Sequence, residues 1–138
     1  MEQAKWYMQS EQFDRAIEVY ERIVKQDRNY HIAWGRLAIA LRERAARRPD
    51  AEQVLALADL DKSLDCLKQA ANHISQDYRA EVAYYRSKSL WRKWSLSGRS
   101  DQQLLKDAVK AAIEAAQHLS ADFILSWCDY VTKLEQDQ

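Results

Sequence analysis

Apolar residues recur along most of this chain at spacings of three and four, the period of an α-helix that buries one face. Phe13, Ile17, Tyr20 and Val24 form such a set and predict a helix over about 12–26. Ala33, Trp34, Leu37, Ala38 and Leu41 predict another over about 30–47. Pro49 must end it, because proline has no N–H to continue the ladder. Val54, Leu57, Leu60, Leu64, Leu67 and Ala71 mark the stripe of a long helix over about 50–72, with Asp50 as its expected cap. The next helix, about 76–96, is dense in aromatics: Tyr78, Tyr84, Tyr85, Trp91 and Trp94. Gly98 then stands where a helix terminus turns left-handed. Ser100 with Gln103 predicts a capping box that opens a helix reaching about 118. A short helix over about 2–9 comes before all of these. A last one, about 120–135, stripes Phe123, Ile124, Trp127, Val131 and Leu134 on one side and is polar on the other, as a solvating cap requires.

The breaks between these segments are short and polar, so neighbouring helices must run antiparallel. The expected architecture is all-α: pairs over about 2–26, 30–72 and 76–118 plus a capping helix, about seven helices in one domain spanning 1–138. Two glycines and one proline in 138 residues are too few for a turn-rich β fold. Hydrophobic residues make up 47%, which excludes a disordered tail.

The stretch from Ala16 to Leu41 resembles the junction of two tetratricopeptide repeats. Trp34, Leu37, Ala38 and Leu41 stand as the family's Trp, Leu, small residue and bulky apolar residue, with Ala16 and Tyr20 just upstream as its small–aromatic pair. Phe13 occupies the family's usual aromatic place before that alanine. Close packing gives the pattern its physical sense: two antiparallel helices approach where small side chains face each other, and bulky neighbours lock the register. On that logic Ala4 faces Ala16, Ala38 faces Ser63, and Ser87 faces Ala108. The family's glycine is replaced by Ala4, Ala38 and Ser87, and its inter-repeat proline by Arg28. The spacings from Ala16 to Ser63 and on to Ala108 exceed the family's period of about 34, which implies lengthened helices.

The resemblance implies a short right-handed α-solenoid whose first helices line a concave, ligand-binding face. By register that face includes Lys5, Arg36, Ile39, Arg42, Tyr84, Tyr85, Lys88, Trp91 and Arg92. A basic and aromatic groove suits an acidic or amphipathic segment of a partner protein. The same aromatics, at helical spacing, also serve to pack helices together. The family's site for a chaperone C-terminal carboxylate needs asparagines that are absent here; Lys5 and Arg36 stand on those faces, with Tyr85 where a basic group is expected. The N-terminal pair looks a turn short and leaves Trp6, Tyr7 and Met8 partly uncovered. That suggests a piece of a longer array or a homodimer through this pair, and makes a self-assembly module the alternative reading.

Charge and chemistry narrow the rest. Lys+Arg and Asp+Glu balance at 21 each, so no net field draws the chain to nucleic acid or membrane. Local clusters at Arg42, Arg44, Arg47 and Arg48 and at Arg92, Lys93 and Arg99 keep single-stranded nucleic acid as a second alternative. Cys66 and Cys128 lie far apart on helical segments and read as packing residues in a reducing cytoplasm. No apolar run reaches membrane-spanning length, and no signal peptide opens the chain. Glu114 with His118 lacks a third metal ligand, and with only Gly35 and Gly98 no phosphate-binding loop can form. No catalytic residue, metal or cofactor is expected; the reading is a binding module and not an enzyme.

Overall fold

A computed structural model describes residues 2–72 and 76–118, which fall in two compact units divided after Asn72. Among the described residues the chain is helical apart from short turns, with no strand. The first unit holds α1 (Glu2–Gln9), α2 (Phe13–Gln26), α3 (His31–Arg47), a 3-10 turn (Asp50–Glu52) and α4 (Gln53–Ala70); the second holds α5 (Gln76–Leu96) and α6 (Gln102–His118). The helix expected over about 120–135 lies outside the described residues. Helices α3 to α6 are each longer than α1 and α2, as the stretched spacing of small residues implied.

In the first unit each helix packs on its neighbour in sequence, and small residues set how close they come. Ala4, Ala16 and Ala38 are fully buried. Where α3 meets α4, the Ser63 hydroxyl donates a 2.8 Å hydrogen bond to the Ala38 carbonyl. A backbone oxygen inside a helix is reachable by a facing hydroxyl only if no bulky side chain stands between, so this bond fixes the expected register. Leu37, Leu41, Leu60 and Leu67 flank the seam at 1% exposure or less. Each contributes about 1.5–3 kcal/mol through removal from water.

The apolar stripe of α4 differs from the expected one. The buried set is Ala56, Leu60, Ser63, Cys66, Leu67 and Ala70, together with Asp59, while Val54 is 80% exposed. Val54 precedes Ala56 by two residues, which turns it about 200° round the helix. Leu57 and Leu64 are half-buried and Ala71 is exposed. The seam runs through the small residues Ala56, Ser63 and Ala70, because close approach selects size before hydrophobicity.

Two caps also differ. Asp50 lies inside the 3-10 turn, and α4 begins with no side-chain cap. At α6 the cap is Asp101, whose Oδ1 accepts the backbone N–H groups of Gln103 (3.1 Å) and Leu104 (3.2 Å). Ser100 instead donates to the Ser97 carbonyl at 3.0 Å. The carboxylate one residue on reaches two of the orphan donors, so it takes the cap from the serine.

The second unit repeats the seam. The Ser87 hydroxyl donates to the Ala108 carbonyl at 2.8 Å, and Leu90 and Leu105 are buried beside it. Ala83 packs with Ala112 and Ala115, and Trp94 is the largest fully buried side chain among the described residues. Gly98 turns the end of α5 at φ +76°, as expected, and Arg99 follows at φ +62° with its guanidinium 5.5 Å from the Trp94 ring.

Candidate functional site

The nine expected groove residues divide between the units. Lys5, Arg36, Ile39 and Arg42 belong to the first. Arg36 is exposed on α3 and has no carboxylate partner among the described residues. Burial raises the pKa of the neighbouring Tyr20, and the charge of Arg36 opposes that shift. Lys5 is exposed and only loosely tied, 3.9 Å from Glu2. Ile39 is half-buried. Arg42 is half-buried and paired with Glu43, whose other oxygen holds Arg47 at 2.6 Å, which leaves it little freedom to meet a ligand.

The other five lie on α5. Tyr84 and Tyr85 have ring centroids 5.0 Å apart, and the Lys88 ammonium sits 4.7 Å from the Tyr84 centroid. These three form one cation–aromatic group. Tyr84 and Trp91 are half-buried and pack on Ala83, Ala112 and Ala115, so one side of each ring is structural. Arg92 is half-buried, and its Nε has no acceptor among the described residues.

The arginine cluster at the end of α3 has another role. Asp59 on α4 is a buried carboxylate that accepts Arg44 Nε (3.2 Å), an Arg44 terminal nitrogen (2.7 Å) and Arg48 Nε (2.8 Å). Arg44 also reaches Asp14 at 2.9 Å, Arg48 reaches Glu52 at 2.9 Å, and Arg47 bonds Glu11 and Glu43. Burial works to raise the Asp59 carboxyl, but the two guanidinium groups outweigh it and hold it below the usual carboxylate value. The carboxylates raise the pKa of Arg44 and Arg48 in turn, by hydrogen bonding first. These cations already have carboxylates to satisfy them, which weakens the nucleic-acid reading of this cluster. The signal available in sequence was Asp59 in the register of the α4 seam, opposite two arginines one turn apart.

Sequence reading also missed a cleft of about 540 Å³ among α2, α3 and α4. Its apolar lining comes from Val24, Trp34, Leu37 and Cys66. The Trp34 indole N–H donates to the Arg28 carbonyl at 2.9 Å, which ties the ring to the α2–α3 turn. Across the mouth, Lys62 and Glu21 pair at 2.6 Å. Burial pushes the Cys66 thiol up to about 12, so it is a wall and not a nucleophile. At one end His31 Nδ1 lies 3.0 Å from the Gln69 carbonyl.

Helix pairs with small residues at the seam and Trp34 in the first turn of α3 agree with the resemblance noted in the sequence, whereas the seam serine Ser87 departs from the family's glycine. Residues 1–40 match the family model of the tetratricopeptide repeat. Over that segment the chain is similar to a tetratricopeptide repeat. Tetratricopeptide repeats are protein-interaction modules, not catalysts, and the matched stretch includes Lys5, Arg36 and Ile39. No curated protein and no solved structure gives a significant match. Among the described residues no three His, Cys, Asp or Glu side chains are grouped to hold a metal ion, and no helix is long and apolar enough to cross a membrane.

Proposed function

We propose that the chain is a protein–protein interaction module that takes an acidic or amphipathic segment of a partner protein against the first-helix faces of its pairs. The observation that carries this reading is Arg36. It stands in the tetratricopeptide-matched stretch, exposed and without a carboxylate partner among the described residues, while Arg44 and Arg47 further along α3 and Arg48 just past its end are all paired. An exposed, unneutralised guanidinium on a rigid helix is a ready receptor for a partner carboxylate. The Tyr84–Tyr85–Lys88 group on α5 supports the same reading for the second unit, since its half-exposed rings offer stacking and apolar contact beside a cation. Ile39, Trp91 and Arg92 would frame these two patches, with Lys5 and Arg42 as minor contributors because each already has an acidic neighbour.

The test is affinity capture by the wild type beside Arg36→Glu/Lys88→Glu, with helicity followed by circular dichroism. Loss of a captured partner with helicity intact supports the reading; undiminished capture refutes it. A second reading, self-assembly through the N-terminal pair, is favoured by Trp6, which is 58% exposed on α1. A molar mass that rises with concentration and falls back in Trp6→Ser would favour it over partner binding.

A further inference from the structure

The cleft among α2, α3 and α4 is a second recognition site, and the geometry points to a short segment with one bulky apolar side chain flanked by carboxylates as its occupant. The site differs from the face proposed above. Trp34 lines the cleft, and Arg36, two residues on, points about 200° away round the same helix. A volume of about 540 Å³ falls within the span of about 300–1,000 Å³ typical of ligand clefts.

The occupant's chemistry follows from the walls. Val24, Leu37, Cys66 and the Trp34 ring are apolar, and the indole N–H is already satisfied by the Arg28 carbonyl. The floor therefore asks for an aliphatic or aromatic group and offers no free donor to a polar one. The rim is uneven. Lys62 is neutralised by Glu21, whereas Lys25 and Arg28 on the α2 edge are exposed and have no carboxylate partner among the described residues. Asp65 borders the α4 edge. Carboxylates beside the apolar anchor would meet Lys25 and Arg28, and the acidic opposite edge sets the direction in which the segment lies.

The probe is the peptide Ser-Glu-Phe-Glu-Ser, titrated into the full chain and read by the indole N–H resonance of Trp34. The controls are Ser-Lys-Phe-Lys-Ser and Ser-Glu-Ala-Glu-Ser. Saturable movement of that resonance by the first peptide alone supports the site. Lys25→Glu/Arg28→Glu, changed only at exposed positions, should weaken that binding by about tenfold and improve binding of the lysine peptide. Arg36→Glu/Lys88→Glu should leave both unchanged, so the two proposals stand or fall separately. Equal binding of the lysine peptide, or of the alanine control, would overturn the assignment. So would a Trp34 shift produced by raising protein concentration alone, which would make the occupant a second copy, and so would no shift at all.

Discussion

Replacing Asp59 by alanine removes the acceptor at the centre of the α3–α4 charge network. Three hydrogen bonds of 3.2, 2.7 and 2.8 Å are lost, all from guanidinium groups. Taking one partner from a buried ion pair typically costs about 3–5 kcal/mol, because the remaining charge is stranded. Here the residual cations are not fully stranded. Arg44 keeps Asp14 and Arg48 keeps Glu52, and their side chains retain 27% and 19% exposure. The expected loss is therefore about 2–4 kcal/mol, read as a lower midpoint in urea unfolding followed by circular dichroism. Asp14→Ala, which removes an 84% exposed partner, should cost under about 1 kcal/mol. Asp59→Asn should fall between the wild type and Asp59→Ala, since an amide oxygen can accept but carries no charge. The pH dependence has a definite sign. The folded carboxyl lies below its ordinary value of about 3.9, so its stabilisation is fully present above that pH and is lost as pH falls through the folded pKa. The gap between wild type and Asp59→Ala should stay constant from about pH 7 to 5 and close below about pH 4. A loss under about 0.5 kcal/mol at neutral pH, or a gap that widens in acid, would refute the argument.

Two further predictions concern local chemistry. Asp101→Ala should destabilise the second unit by about 1 kcal/mol in thermal or urea unfolding, and Ser100→Ala by much less, because Asp101 accepts two of the orphan N–H groups of α6; equal effects would restore the serine as the cap. In a Cys128→Ser background Cys66 should resist iodoacetamide near pH 8 and react once urea unfolds the chain, since its thiol is buried and pushed up to about 12; rapid labelling of the native protein, seen by mass spectrometry, would contradict its burial.

Sequence by itself determined the six described helices, their order and much of the register. The limits of α1 and α5 agree closely with the hydrophobic pattern, because helical period and breaker residues are local properties. Ser63 against Ala38 and Ser87 against Ala108 were legible as well, since small residues at matched spacing can serve only where backbones come close. Which side of α4 is buried was decided by tertiary packing. That helix has apolar residues on more than one side, and the partner helix chose the small seam and left Val54 in water. The cap of α6 was likewise settled by which oxygen actually reached the free N–H groups, and α4 starts with no side-chain cap. Charge was the least legible feature. The register of Asp59 in the α4 seam was the one hint in sequence, and only the fold brings Arg44 and Arg48 within 3.2 Å of it. The same holds for the cleft at Trp34: its walls come from α2, α3 and α4, over residues 21–69, so no local pattern could announce it. Period and residue size are written along the chain, whereas pairing and concavity exist only between segments that the folded backbone has placed side by side.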